Sequence, residues 1–142
     1  GLVAGLGLAS RRLTLVFPVH PRTRHRLGRR RLPPGLVLVE PLGYLEFLGL
    51  MDRAAAVLTD SGGIQQETTV LGVPCLTLRD NTERPLTCRM GTNRLVYASP
   101  AAIDRALASV LAHRPKGRVP PLWDGKAGER VARGIKSWLE RW

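Results

Sequence analysis

The run Thr59-Asp60-Ser61-Gly62-Gly63-Ile64-Gln65-Gln66-Glu67 carries residue types suited to holding an anion. An apolar segment leads into a Gly pair and then into a helix-period segment. That order leaves backbone amides unpaired at a helix N-terminus, with the positive end of the helix dipole behind them. Adjacent glycines let a phosphate approach the backbone without meeting a Cβ, and the Ser61 hydroxyl can donate to the same oxygen. Glu67 falls one turn beyond Gly63, where its carboxylate can accept from vicinal hydroxyls such as those of a ribose. The same residues would also serve as a plain strand-to-helix turn with Glu67 solvated.

A second polar run, Arg79-Asp80-Asn81-Thr82-Glu83-Arg84-Pro85, follows the next apolar segment. It is expected to open on the same carboxyl-end edge of a parallel sheet, where open α/β folds bind their ligands. Arg84 could fork onto a diphosphate with two charge-assisted hydrogen bonds. The alternative is an ion pair between Arg84 and Glu83 or Asp80.

These loops need a scaffold, and the alternation of short apolar runs with helix-period segments predicts parallel strands flanked by helices. Strands are expected at 13–19, 36–39, 56–59, 75–78 and 94–97. His20-Pro21 ends the first strand, and an Arg-rich helix follows to about Arg31. Pro41-Leu42-Gly43 turns into a helix on which Leu45, Leu48, Met51 and Ala55 recur at three-to-four spacing. Further helices are expected at 64–71 and 83–90. Another starts after Ser99-Pro100, with Ser as N-cap and Pro at the first helical position, and a last one spans about 126–139. The apolar start from Gly1 to Leu6 reads as a chain cut inside a helix rather than as a signal peptide.

The 142 residues suit one core, and 44% hydrophobic with 23% charged residues places the chain among globular proteins rather than disordered ones. Its apolar runs fall short of the roughly 20 residues that span a bilayer. Cys75 and Cys88 have no zinc-like spacing and read as free thiols. A net charge of +11 raises the possibility of a basic nucleic-acid-binding module. Yet Arg11, Arg12, Arg22, Arg24, Arg26, Arg29, Arg30 and Arg31 crowd one segment with almost no aromatic interleaving, and Lys occurs only at 116, 126 and 136. Such an Arg-for-Lys bias fits a solvated face better than a groove.

The ordered series Asp60-Ser61-Gly62-Gly63-Ile64-Gln65 with Glu67, Gly72-Val73-Pro74, Arg79-Asp80, Thr82-Glu83-Arg84-Pro85 and Gly91-Thr92-Asn93 resembles the carboxyl-terminal half of the UDP-N-acetylglucosamine 2-epimerases. The resemblance extends upstream through Pro18-Val19-His20-Pro21-Arg22-Thr23 and Glu40-Pro41-Leu42-Gly43-Tyr44, and downstream to Asp124-Gly125-Lys126-Ala127.

It implies that residues 1–142 form a Rossmann-like, UDP-binding domain, one half of a two-domain glycosyltransferase-B type fold. By resemblance, Ser61, Gly62 and Gly63 hold the diphosphate, Glu67 the ribose, and Arg84 the sugar nucleotide, while the stretch from Leu42 to Phe47 lies against uracil. His20 matches a residue of a regulatory sugar-nucleotide site in some members, although Arg22-Thr23 departs from their pattern; the alternative is that it simply ends a strand. The catalytic groups of the family fall outside the matched region, so no catalytic residue and no metal ligand is assigned in this chain. The resemblance implies no cofactor, a UDP-sugar substrate, a missing amino-terminal domain, a homodimer for the full-length enzyme, and a cytoplasmic location without membrane or nucleic-acid partners. The activity implied is interconversion of UDP-N-acetylglucosamine and UDP-N-acetylmannosamine through elimination and re-addition of UDP. A hydrolysing epimerase releasing the free sugar, a glycosyltransferase of the same fold and the basic nucleic-acid module are the rival readings.

Overall fold

Strands and helices alternate along the computed structural model, which describes residues 2–28 and 31–142. Helix α1 (Leu2–Ala9) precedes β1 (Leu15–Pro18), α2 (Pro21–Leu27), β2 (Leu36–Val39), α3 (Tyr44–Asp52) and β3 (Val57–Thr59). Then follow α4 (Gly62–Leu71), β4 (Cys75–Thr77), α5 (Pro85–Arg89), β5 (Asn93–Leu95), α6 (Pro100–Ala112) and α7 (Ala127–Leu139). Every strand pairing is parallel, as the alternation predicts, but the strands form two ladders: β1 with β2, and β3-β4-β5 with β4 central. One core serves both ladders. Leu15 of β1 and Leu58 of β3 pack against a buried cluster of Ala9, Leu76, Val96, Ile103, Ala106, Leu107 and Val110.

Each element ends for a local reason. Helix α2 stops at Leu27, short of the expected Arg31, because Gly28 takes φ +54 and its amide bonds back to the Arg24 carbonyl. Arg29 and Arg30 of the Arg-rich run lie outside the described residues. Helix α3 ends at Asp52 rather than at Ala55, and of its apolar positions Met51 is buried while Leu45 remains exposed. Ser99 caps α6 through its hydroxyl, which accepts from the Ala102 amide at 3.3 Å, and Pro100 stands at the first helical position as expected. Helix α7 keeps its apolar residues Val131, Ile135, Trp138 and Leu139 exposed. Among the described residues no helix is long and apolar enough to cross a membrane.

Two close approaches fix the packing. A Cβ on Gly5 would stand 2.6 Å from Ile103 Cδ1, so a side chain there would make the end of Ile103 shift where α1 lies against α6. A Cβ on Gly91 would meet the Thr69 side chain and stand 2.6 Å from the Thr87 carbonyl, which joins α4, α5 and the turn into β5. Gly91→Ala is therefore expected to lower stability by about 1–3 kcal/mol through overpacking. Gly49→Ala, in the open middle of α3 with nothing within 4 Å, is expected to raise it by roughly 0.5–1 kcal/mol. Urea denaturation of the two variants checks both signs.

Candidate functional site

Strands β3 and β4 run parallel with Thr59 opposite Thr77, so the loops that follow them leave the same edge of the sheet. The loop after β3 is short. Ser61 donates its amide to Thr59 Oγ1 at 3.0 Å and takes the N-cap position of α4 with φ −83 and ψ 129. The helix therefore begins at Gly62, two residues before the expected start at Ile64, and the Gly pair forms its first turn rather than a loop. Ser61 makes no capping bond through its hydroxyl. The amides of Gly62, Gly63 and Ile64 have no intrahelical acceptor by geometry, and among the described residues no side-chain oxygen replaces one. They remain donors at the positive end of α4.

The loop after β4 brings Arg84 to this helix end. A Cβ built on Gly62 would lie 3.9 Å from Arg84 Nε and 4.0 Å from its Cγ, so the side chain crosses the outer face of the first turn. The proposed ion pair of Arg84 with Glu83 or Asp80 does not form: Glu83 is engaged by Arg79, at 3.0 Å, and Arg79 also donates to Asn81 Oδ1 at 3.2 Å. Among the described residues the Arg84 guanidinium has no acidic partner. Arg79 beside it holds the Glu83 carboxyl below the usual carboxylate range, first through their hydrogen bond.

Behind this loop lies a buried polar cluster. Gln65, fully buried on α4, accepts through Oε1 from the Thr82 hydroxyl at 2.6 Å and from Asn93 Nδ2 at 3.1 Å. Asn93 on β5 also donates to Thr87 Oγ1 at 2.9 Å and accepts from Thr77 at 2.6 Å. Nearby, burial pushes the Cys75 thiol up, which suits an inert structural cysteine.

One turn along α4, half-buried Glu67 lines an open groove of about 410 Å³ with Tyr44, Leu48, Gln66, Val70, Leu71 and Trp123. Trp123 follows Leu122, whose φ of 70 is rare for a residue with a side chain.

The structure thus gathers Ser61, Gly62, Gly63 and Arg84 at one point and places Glu67 on the same helix. Leu42 is exposed just before α3, and Phe47 sits within α3 rather than in a loop, its amide bonded to the Gly43 carbonyl at 2.9 Å. Tyr44 and Leu48 of that helix reach the groove. His20 does more than end a strand: its Nδ1 accepts the Arg22 amide at 3.2 Å and caps α2. Sequence reasoning missed the roles of Gln65, Thr87, Asn93 and Trp123; for Trp123 the signal was an aromatic residue in a chain with only 5% of them.

A model of the UDP-N-acetylglucosamine 2-epimerase family matches residues 3–136. The chain belongs to that family. It is 42% identical over 125 residues to a UDP-N-acetylglucosamine 2-epimerase of Methanocaldococcus jannaschii, covering 84% of this chain and 34% of that protein. It is 37% identical over 118 residues to a UDP-2,3-diacetamido-2,3-dideoxy-D-glucuronate 2-epimerase of Pseudomonas aeruginosa, covering 83% of this chain and 33% of the relative. The M. jannaschii UDP-GlcNAc 2-epimerase solved in complex with UDP-GlcNAc and UDP superposes with a TM-score of 0.80 and 37% identity over 95% of this chain and 39% of that one. The chain spans about a third of the length of the curated relatives it matches. The family's structural neighbours are of glycosyltransferase-B type, and this α/β fold is like theirs.

The site gives a pH expectation for this family member. Because the folded carboxyl of Glu83 titrates below its unfolded value, the Arg79 pair contributes fully above the ordinary Glu pKa of about 4.3 and is lost as pH falls through the folded value. A carboxyl NMR titration should give a Glu83 midpoint below that of a Glu without a cationic partner, and Arg79→Ala should move it up toward the ordinary range.

Proposed function

We propose that this chain is the UDP-holding part of an enzyme that inverts C2 of UDP-N-acetylglucosamine by eliminating UDP and adding it back. The observation that carries this reading is the meeting of Arg84 with the open first turn of α4 over Gly62. Ser61, Gly62 and Gly63 receive the diphosphate, Glu67 accepts from the ribose hydroxyls, and the start of α3, with Leu42, Tyr44 and Phe47, lies toward uracil. As the C1–O bond breaks, negative charge grows on the diphosphate. Amides and a guanidinium already aimed at that position stabilise it without reorganising. Proton transfer at the sugar falls to the remainder of the enzyme, an amino-terminal domain facing this one, within a homodimer.

The two curated relatives described above support this division of labour. Their names differ in the sugar and share the UDP and the 2-epimerase, and the cluster at α4 is built for the shared part.

Calorimetry on the chain tests the reading. UDP is expected to bind more tightly than ADP or uridine, since the diphosphate seat and the base contact both contribute. Arg84→Ala should weaken UDP by about 1.5–3 kcal/mol, the scale of a hydrogen bond to a charged group. Arg84→Lys should restore only part, because a point charge cannot reproduce the fork. Equal binding of ADP and UDP would remove base recognition, and absence of UDP binding would overturn the proposal.

A further inference from the structure

The backbone of Arg84 is held at both ends by hydroxyl groups of one connected cluster. Its amide donates to Thr82 Oγ1 at 2.9 Å, and its carbonyl accepts from Thr87 Oγ1 at 2.7 Å. The Thr82 proton is already committed to Gln65 Oε1 at 2.6 Å, which turns the hydroxyl's lone pairs toward the Arg84 amide. Asn93 Nδ2 donates both to Gln65 Oε1 and to Thr87 Oγ1, so the two clamps share one root, itself fixed by Thr77 on β4. Pro85 adds a third restraint, because a residue before proline is kept out of the helical region, and Arg84 sits at φ −121, ψ 55. By contrast, the guanidinium makes no hydrogen bond within the described residues. The peptide is fixed and the charged end is free.

The chemistry of Gln65 shows that the cluster is more than filling. Its Oε1 serves two donors while its Nε2 is buried without a partner among the described residues. A buried donor left without a partner is a cost to folding. The acceptor oxygen of Gln65 nevertheless holds two donors, one of them on buried Asn93. What an apolar residue cannot supply is the acceptor that orients Thr82.

We propose that Gln65 and Thr82 are positioning residues, a relay from Asn93 that sets Arg84 over the first turn of α4 before any ligand binds. The inference rests on the reading of that turn as a diphosphate seat, and it assigns the buried cluster to preorganisation. Neither residue need touch the ligand. Their effect passes through the Arg84 peptide.

Thr82 is the place to test it, since it is half-buried in a loop and belongs to neither the sheet nor α4. Thr82→Val keeps the shape and removes the hydroxyl; Thr82→Ser keeps the hydroxyl. Two readouts on the chain are needed, amide hydrogen exchange without ligand and calorimetry with UDP. Thr82→Val should speed exchange at the Arg84 amide about tenfold, the equivalent of one hydrogen bond, with the amides of α4 and β4 unchanged. It should weaken UDP by about tenfold, and Thr82→Ser should restore both to within about twofold. In the Arg84→Ala background, Thr82→Val should have no further effect on UDP, because the relay acts only through Arg84. A loss that persists undiminished in that background, or an Arg84 amide whose exchange does not change, would overturn the relay. If the unaltered chain fails to bind UDP, the nucleotide reading falls, and the exchange readout alone then decides whether Arg84 is set by Thr82.

Discussion

The side chain of Asn93 ties the site region together. Its Oδ1 accepts from Thr77 on β4, and its Nδ2 reaches Gln65 on α4 and Thr87 on α5. One amide thus links the central strand, the helix whose N-terminus we propose as the seat, and the helix that follows Arg84. In a low-dielectric interior such bonds are strong and directional, and each partner lost leaves another unsatisfied. Packing alone would set the distance between these elements. The amide also sets their rotation and register.

From that constraint the rest of the site follows in order. Parallel β3 and β4 send their loops out along one edge, with Thr59 and Thr77 in register. The Ser61 amide turns back onto Thr59, and α4 opens on two glycines with its first donors unanswered. Arg79 pairs with Glu83, so the Arg84 guanidinium beside the first turn of α4 forms no ion pair among the described residues. Each step removes an internal partner from a group that then faces outward. The proposed anion-binding point would carry its own electrostatic preference, since the amides at the helix end and the nearby guanidinium both favour negative charge.

Much of this was legible in the sequence, and the failures have physical causes. The alternation of apolar runs and helical segments predicts the order of elements and the parallel pairing, and Arg84 does come close to Gly62 at the start of α4. The start of α4 was read two residues late because glycine disfavours helix interiors, a preference that matters little in a first turn whose amides are unpaired anyway. The Arg-rich helix was read too long because the arginines are good helix formers, while Gly28 supplied the stop. Gln65 and Asn93 were invisible as anchors, since a polar residue reads as surface unless its partners, 28 positions apart for this pair, are known. Leu45 shares the three-to-four spacing of a helix face with buried Met51, yet it is 77% exposed, because spacing defines a face without saying what covers it.

The central claim is that the first turn of α4 with Arg84 is the seat of a diphosphate. A ¹⁵N-resolved NMR titration of the chain with UDP, repeated with inorganic pyrophosphate, tests it most directly. The account predicts saturable shifts that are largest at the amides of Gly62, Gly63 and Ile64 and at Arg84 for both ligands, with Glu67 responding to UDP alone. Shifts spread over Arg22, Arg24 and Arg26 with the first turn of α4 unmoved would contradict it.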